Sequence, residues 1–327
     1  MPGLFFARFF LNECYYSFMR ISSEKIYELC CEIGFDTIGI AKAEPVKHAD
    51  YFRGRIKDGF PPDLNYLNKY QDERFDPGVL LPNAKAIIVT GTNYYPTEDD
   101  LSKKKWPYSV AKYAWGKDYH IVLRQRLKKL RRALKQIDSS LNGRICVDTA
   151  PFMDVYWAWK AGIGWIGKNS LLVNRQYGIR LLIGSLIIDR TCDEYSDEHP
   201  LHCGKCTSCI EACPTGAIEE PYKVNAEKCI SYWTIESKAE VFPESITRNI
   251  NGLVFGCDIC SDICPFNRFQ KPIRLLEFAR RDYISKLEIG DISEFDENFI
   301  KSVLKDSPIS RPGLSGLERN INSAGGK

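Results

Sequence analysis

Apolar and polar positions along the first part of the chain predict a domain of mixed helices and strands. Residues 21–34 place apolar side chains on one helical face, with Ser22 or Ser23 as the N-cap and Gly34 at the end. Four apolar runs have the length of buried strands, and they lie at 37–41, 86–92, 144–151 and 179–189. The punctuation by proline between 45 and 83 predicts irregular structure with short helices there.

The segment RICVDTAP at 144–151 carries a predicted strand into an aspartate, Asp148. Thr149 can cap a following helix and Pro151 suits a first helical turn, so the pattern predicts a helix over 152–161. By position alone, Asp148 is most simply a helix-capping carboxylate. A catalytic role for it needs a separate argument.

A longer helix is predicted to follow Asp118 and to run to about residue 137. Its leucines keep a spacing of three and four, which buries one face. The opposite face is basic and includes Arg131 and Arg132. A solvated basic face is the commoner arrangement, and a surface that contacts nucleic-acid phosphates is the sharper alternative.

The glycine-rich segment GIGWIGKNS at 162–170 nearly matches two nucleotide-binding motifs. Both motifs require a strand before the glycines and a helix after them, and here a helix precedes and an extended LLVN segment follows. Asn169 also stands where a phosphate-binding loop requires serine or threonine. We therefore expect the glycines to allow a tight helix-to-strand turn where the backbone approaches something large.

Cysteine spacing carries the strongest chemical signal in the chain. A C-x2-C-x2-C-x3-C-P run ends at Pro214, and a second run, C-x2-C-x3-C-P, ends at Pro265. In two-cluster ferredoxins the cysteine before the proline ligates the other [4Fe–4S] cluster. This rule predicts that cluster 1 is held by Cys203, Cys206, Cys209 and Cys264, and that cluster 2 is held by Cys213, Cys229, Cys257 and Cys260. A pair of zinc sites is the alternative, and the exchanged cysteines argue against it.

Two adjacent clusters form an electron relay, so the chain requires a redox cofactor or partner besides them. Clusters need reduced thiolates, which favours the cytoplasm over a secreted location despite thirteen cysteines. The net charge of +3 gives no general case for a polyanion partner, so any such contact must come from a local patch. The remaining cysteines are expected to be small buried side chains, at positions 14, 30, 31, 146 and 192.

Four regions follow from these patterns. We expect an N-terminal extension outside the fold at 1–19, a mixed α/β domain at 20–190, a two-cluster domain at 191–270 and a helical tail at 271–327. The N-terminus lacks a basic segment and a cleavage site, and no segment reaches transmembrane length, so we expect no membrane association. Nothing in the pattern requires an oligomer, and a monomer is expected.

Several motifs occur together in one order: VDTAP, GIGWIGKNS, HCGKCTSCIEACPTGAI, CISYWTIE and GCDICSDICPFN. In this combination the chain resembles the epoxyqueuosine reductases, from about residue 22 to the tail, including AKYAWGKDYH and SRPGLSGLERN. That family is in turn similar to the reductive dehalogenases. The resemblance implies an α+β fold, with a mixed α/β cobalamin-binding domain followed by a ferredoxin-like domain that holds two [4Fe–4S] clusters.

The resemblance also implies an activity and the residues that perform it. The enzyme would reduce epoxyqueuosine to queuosine at the wobble position of tRNA, using cobalamin and electrons from an external donor. The catalytic acid of the family is the aspartate of the VDTAP motif, which is Asp148 here. Donation of a proton near neutral pH would require burial or a nearby negative charge to raise the pKa of Asp148.

Cofactor and RNA contacts carry over by motif. The cobalamin contacts implied are Lys69, Asp148, Ser231, Thr234 and Asp258. Lys69 stands where an arginine is expected, and lysine cannot form a bidentate fork. The same resemblance favours Arg131 and Arg132 as contacts to tRNA phosphates, and it adds basic residues at Lys103 to Lys105, Arg311 and Arg319.

Two other classes share part of this signature. A cobalamin enzyme that dehalogenates a small organohalide would be expected to carry a twin-arginine signal, and the chain shows none. A two-cluster electron carrier would not need the roughly 190 residues that precede the clusters. Cobalamin absorbance would separate the carrier from both enzymes, and activity on modified tRNA would separate the enzymes from each other.

Overall fold

The fold is described from a computed structural model that covers residues 20–57, 59–102 and 107–325. The predicted extension at 1–19 and the basic residues Lys103 to Lys105 lie outside the described residues. The strands, numbered in chain order, are β1 (Arg20–Ile21), β2 (Thr37–Lys42), β3 (Ala86–Asn93), β4 (Ser109–Val110), β5 (Gly143–Cys146), β6 (Trp165–Ile166), β7 (Leu172–Val173), β8 (Leu181–Ile188), β9 (Thr191–Cys192), β10 (Ile218–Glu220), β11 (Lys223–Val224) and β12 (Leu253–Phe255).

Helices are distributed along the whole described chain. They are α1 (Ser23–Ile33), α2 (Ala49–Lys57), α3 (Gln71–Phe75), α4 (Pro77–Leu80), α5 (Glu98–Ser102), α6 (Tyr119–Ile137), α7 (Asp154–Lys160), α8 (Ser208–Glu211), α9 (Glu244–Thr247), α10 (Ile259–Asp262), α11 (Tyr283–Ile289), α12 (Glu297–Ser302) and α13 (Gly313–Gly325). None of them is both long and apolar enough to cross a membrane.

The first domain is built on an antiparallel sheet with strand order β2-β3-β8-β5. Both faces of this sheet are covered, which is why its strands read as apolar runs instead of alternating. Ile88 of β3 faces the core formed with α1 and α6, whereas its neighbours Ile87 and Val89 face the core formed with α7. The result is a layered arrangement of helices, sheet and helix.

The caps that frame the first domain lie where the sequence predicts them. Ser22 accepts a hydrogen bond from the backbone of Lys25 at the start of α1, and Gly34 ends that helix in the left-handed conformation. Asp118 caps α6 by accepting the backbone N–H of His120 at 2.8 Å. The face of α6 that carries its leucines is fully buried against β8.

The helix after VDTAP begins later than the sequence predicts. We expected it to begin at Phe152 with Thr149 as its cap, but α7 starts at Asp154. Residues 148–153 form an irregular loop instead, in which Thr149 receives a hydrogen bond from Arg124 of α6. The loop keeps Asp148 away from the end of the helix and turns it toward a pocket.

The tail and the first domain share a core. Strand β12 pairs in parallel with β4, and Trp115 packs in the same cluster as Leu287 and Leu317. The backbone N–H of Asp118 donates to the carbonyl of Asp306 at 2.7 Å. Residues of the tail therefore fix the position from which α6 begins.

Candidate active site

A pocket of about 1160 Å³ lies between the Asp148 loop, α3, α7 and the region of the cysteines. Its wall is largely aromatic, with the side chains of Tyr51, Phe52, Tyr66, Tyr70, Trp159 and Tyr222. The charged groups that reach it are Glu73, Arg74, Arg144, Asp148, Asp154 and Arg311. An apolar cavity with a few convergent charged groups is typical of a site for a large organic ligand.

Asp148 enters the pocket at the end of a chain of polar contacts. Its carboxylate pairs with Nε2 of His120 at 3.0 Å, and Nδ1 of the same ring pairs with Asp118 at 2.7 Å. The backbone of Asp148 has φ of 48°, a left-handed conformation that residues other than glycine adopt rarely. Such strain is commonly found where a functional side chain has to be held in one direction.

The ionisation of this pair differs from the expectation. Enclosure by protein would raise the pKa of Asp148, but hydrogen bonds from His120 and Tyr119 and the charges of His120 and Arg311 hold it below its ordinary value. Asp148 is therefore a carboxylate at neutral pH, and our expectation of a raised pKa is wrong. Its side chain also remains 54% exposed because it faces the open pocket, so the expected burial is wrong too.

His120 holds the proton that Asp148 lacks. Burial lowers the pKa of His120, but hydrogen bonds to Asp118 and Asp148 and their negative charges outweigh burial and raise it to about 9. The imidazole is therefore charged at neutral pH. In the array of Asp118, His120 and Asp148, a protonated imidazole bridges two carboxylates.

A second carboxyl group, Asp154, lines the same pocket. Its Oδ1 atom is sealed from solvent and has no hydrogen-bond partner, and the same is true of Nε of Arg74. Burial and the nearby charge of Asp148 raise the pKa of Asp154 to about 8. The pocket thus contains two carboxyl groups of one residue type with opposite shifts in pKa.

The cysteines predicted for cluster 1 lie close to one another. Burial raises the pKa of Cys264, and the thiolates of Cys203, Cys209 and Cys206 raise it further. Cys203 and Cys264 both pack against Trp165, whose indole N–H points to the Cys203 sulfur at 3.3 Å. The cysteine from the second run therefore lies with the first run, as the exchange rule requires.

The cysteines predicted for cluster 2 form a neighbouring group. Burial raises the pKa of Cys257 to about 12, with contributions from Cys260 and Cys229. Burial raises the pKa of Cys229, and the nearby Cys213 raises it further. The Cys213 sulfur accepts the backbone N–H of Ala217 at 3.2 Å. Both ligand assignments remain predictions, and the arrangement of the sulfurs is compatible with them.

The glycine-rich segment holds the cysteine loops. Lys168 donates to the carbonyls of Gly204 and Cys206, each at 2.8 Å, and Asn169 donates to the carbonyl of Cys260 at 3.3 Å. A side chain at Gly164 would collide with the backbone of Val173, its Cβ lying 2.2 Å from the carbonyl oxygen. The expected tight helix-to-strand turn is therefore confirmed, but the close neighbour of Gly164 is the chain's own backbone at Val173 and not a large separate group.

Four of the residues implied as cobalamin contacts lie elsewhere. Lys69, Ser231, Thr234 and Asp258 do not line the pocket. Thr234 is fully buried, donates to the carbonyl of Ile230 and accepts the backbone N–H of Gly256. These four contacts remain predictions.

Asp258 already has ionic partners within the protein. Its carboxylate lies 3.1 Å from the buried guanidinium of Arg180 and accepts the backbone N–H of Lys112 at 2.9 Å. Arg180 also pairs with Asp262. The basic residue that does reach the pocket from the ERFDP segment is Arg74 rather than Lys69.

The basic side chains proposed to contact RNA differ in how far they are already bound within the protein. Arg132 is exposed, whereas Arg131 donates to the carbonyl of Gly143 at 3.1 Å. Arg319 donates to the carbonyls of Ser237, Ala239 and Trp233, so its guanidinium is engaged within the protein. Arg311 lines the pocket and pairs with Glu236 at 2.8 Å.

Models of known protein families match two parts of the chain. The model described as epoxyqueuosine reductase QueG, DUF1730, matches residues 74–149, and the 4Fe-4S double cluster binding domain matches residues 202–267. The first match contains Arg74, His120 and Asp148. The second contains all eight cysteines that we assign to clusters, and the chain thus carries a domain for two [4Fe–4S] clusters.

Curated relatives match almost the whole chain. The epoxyqueuosine reductase of Leadbetterella byssophila is 39% identical over 307 residues, which are 93% of this chain and 98% of the relative. The chain belongs to the epoxyqueuosine reductase family. The family member from a Synechocystis species is 46% identical over 285 residues, 87% of this chain and 97% of the relative. The family and the oxidoreductase class implied by the sequence motifs are confirmed.

Solved structures of epoxyqueuosine reductases share the fold. One, with an epoxyqueuosine-modified stem loop of tyrosine tRNA, is 28% identical with a TM-score of 0.83, over 92% of this chain and 80% of that chain. Another, from Bacillus subtilis, is 26% identical with the same TM-score and coverage. It is described as having its catalytic aspartate loop swung out of the active site. The predicted α+β fold is confirmed.

Sequence reasoning missed four residues of this site that a signal could have revealed. His120 and Tyr119 belong to the AKYAWGKDYH segment, which contributed to the resemblance but was given no role. Asp154 is an acidic residue within the aromatic segment FMDVYWAW, where a charge is unexpected. Arg74 lies within ERFDP, only five residues beyond the lysine that was chosen.

Proposed function

We propose that this protein reduces the epoxide of epoxyqueuosine to the alkene of queuosine in the wobble position of tRNA. The observation that carries the proposal is the pocket itself. Asp148, which is paired with the protonated His120, lines it, and so does Tyr222, which lies within electrostatic range of Cys203. In this proposal the cavity therefore contains the proton donor and borders a neighbour of the predicted cluster 1.

In this proposal the pocket residues bind, orient and protonate the substrate. The aromatic lining of the pocket provides flat apolar surfaces against which a ring system can pack. His120 keeps a proton at neutral pH and passes it to Asp148, which delivers it to the departing epoxide oxygen. Asp118 fixes the ring of His120 in the direction of Asp148.

We further propose that the protein binds cobalamin. The pocket fits a large cofactor, because its volume of about 1160 Å³ and its aromatic lining exceed what a small metabolite needs. Tyr66, Tyr70, Trp159 and Arg74 would hold the cofactor, and it would supply the cobalt centre that delivers electrons to the epoxide. The clusters would be held by the eight cysteines assigned above and recharged by an external one-electron donor.

The substrate class and location follow from the same proposal. A family member is known in a structure with a modified tRNA stem loop, which supports tRNA as the substrate here. Arg131 and Arg132 are proposed as phosphate contacts outside the pocket. We place the enzyme in the cytoplasm, because the clusters require reduced thiolates. We also propose that it is a monomer.

The test is an activity measurement on a defined RNA. The protein is reconstituted anaerobically with iron, sulfide and cobalamin and given a stem loop that carries epoxyqueuosine, with a chemical one-electron reductant. We expect loss of one oxygen atom from the modified nucleoside by mass spectrometry, dependent on cobalamin. An unchanged nucleoside with both clusters and cobalamin bound would overturn the proposal.

A further inference from the structure

The proposed reaction consumes two protons. Both carbon–oxygen bonds of the epoxide break, a carbon–carbon double bond forms, and the oxygen leaves as water. Two electrons from the external reductant, delivered through the clusters, and two protons balance the change. The pair of His120 and Asp148 accounts for one proton, because one imidazolium releases one proton at a time.

Asp154 is placed to supply the other. It lies six residues after Asp148, lines the same pocket, and keeps its Oδ1 atom buried without any hydrogen-bond partner. An ionised carboxylate with an unsatisfied buried oxygen is costly, whereas a neutral carboxylic acid tolerates such a position. We propose that Asp154 holds the second proton of each turnover and passes it to Asp148 after Asp148 has delivered the first proton to the substrate. This inference rests on the function proposed above.

The groups that face Asp154 favour its neutral form. Burial is the main cause that raises its pKa, and the like charge of Asp148 from the loop adds to it. Arg74 of α3 and the backbone N–H groups of Asp148 and Asp154 act in the opposite direction. Cys146 of β5 also lies within electrostatic range, and its thiol is neutral because burial raises its pKa to about 12. The balance keeps a proton on Asp154 up to a pH of about 8.

A purely structural role is the competing explanation, and one substitution separates the two. Asparagine has the shape of a neutral aspartic acid and keeps one acceptor oxygen for the loop amides, but it has no acidic proton. Asp154→Asn should therefore preserve the pocket and remove only the proton. Asp154→Glu restores an acid, and Asp291→Asn, an exposed position in the tail, controls for the loss of a carboxylate.

The first measurement is kcat on the epoxyqueuosine stem loop between pH 6 and pH 10. For the wild type we expect kcat to fall as the pH rises through about 8, where Asp154 loses its proton. Asp154→Asn should lower kcat at pH 7 by about tenfold or more and shift the decline toward about 9, the range of His120. Asp154→Glu should recover part of the lost kcat, and its kcat should begin to fall at a lower pH than that of Asp154→Asn. A wild-type rate and an unchanged pH profile in Asp154→Asn would overturn the proposal.

The second measurement does not depend on activity. The pKa of Asp154 is raised above that of an unfolded aspartate, about 3.9, so the folded state binds more protons between the two values. The melting temperature of the wild type, relative to Asp154→Asn, should fall from about pH 4 to about pH 8 and then stay constant. A constant difference from pH 5 to pH 9 would show that Asp154 is ionised, and the inference would fail.

The two proposals can fail separately. Absence of wild-type turnover on the stem loop, with clusters and cobalamin bound, removes the proposed function and this inference with it. Turnover in the wild type together with an unaffected Asp154→Asn variant removes the inference alone. If Asp154→Asn does not fold, Asp154→Glu still tests the proposal, because a longer acid must keep a pH-dependent rate for it to stand.

Discussion

The Asp148 loop and the first cysteine loop differ in how their backbone is held. Around Asp148 the chain keeps a left-handed aspartate and leaves buried atoms of Arg74 and Asp154 without partners. Around the cysteines, Lys168 and Asn169 bind the loop carbonyls. Proton transfer needs groups that change partners, whereas electron transfer needs fixed distances between centres. Each region has the kind of structure that its proposed task requires.

The largest effect that would test this contrast is expected at Asp148. Asp148→Asn removes the group proposed to pass a proton to the substrate, so kcat should fall by about 10² to 10⁴. The cysteine loops do not depend on this side chain, so iron content and cluster absorbance should match the wild type. Stopped assays with the modified stem loop give the rate, with Asp291→Asn as the exposed control. Normal turnover would show that Asp148 is not the acid.

A smaller effect is expected at the clamp on the cysteine loops. Lys168→Met removes two hydrogen bonds, from Nζ to the carbonyls of Gly204 and Cys206, and should destabilise the loop by about 1–3 kcal/mol. Iron per chain should fall and cluster absorbance should decay faster in air. Lys205→Met, an exposed lysine in the same loop, is the matched control. Equal iron retention in both variants would mean that the clamp is dispensable.

The smallest effect concerns the basic face of α6, which belongs to neither region. Reversing Arg131 and Arg132 to glutamate should raise KM for tRNA by roughly threefold to tenfold, since exposed ion pairs are worth about 0–1 kcal/mol each. The effect should weaken as salt increases. Arg131→Gln measures how much of the increase in KM comes from losing the hydrogen bond between Arg131 and the carbonyl of Gly143. Unchanged kinetics on full-length tRNA would remove this face from the proposal.

Local rules account for the elements that the sequence predicts well. The caps of α1 and α6 and the strands β2, β3 and β8 depend on neighbouring residues, and they lie within a residue or two of their predicted limits. The run at 144–151 is an exception, because β5 ends at Cys146. The start of α7 differs from its prediction, because Thr149 accepts a hydrogen bond from Arg124 of α6 instead of capping a helix. Tertiary contacts of this kind cannot be found in a window of sequence.

The candidate site was predictable only in part for the same reason. Cysteine spacing is a local signature, and it was enough to predict the ligands of both clusters. The ionisation of Asp148 depends on His120, which lies 28 residues earlier and reaches it only after α6 has packed against the sheet. The neutral state of Asp154 depends likewise on burial and on the charge of Asp148. Such environments arise from the fold, so the sequence could identify the carboxyl groups but not their charge.

The anchoring of Asp118 to the tail has a consequence for biosynthesis. The backbone N–H of Asp118 bonds to the carbonyl of Asp306, and Arg281 pairs with the Asp306 carboxylate. On the ribosome, the cysteine-bearing segment emerges before the residues that complete this anchor. Contacts this distant in sequence form late in folding. A nascent chain would therefore have the eight predicted ligand sulfurs available for iron insertion before the proposed proton relay is assembled.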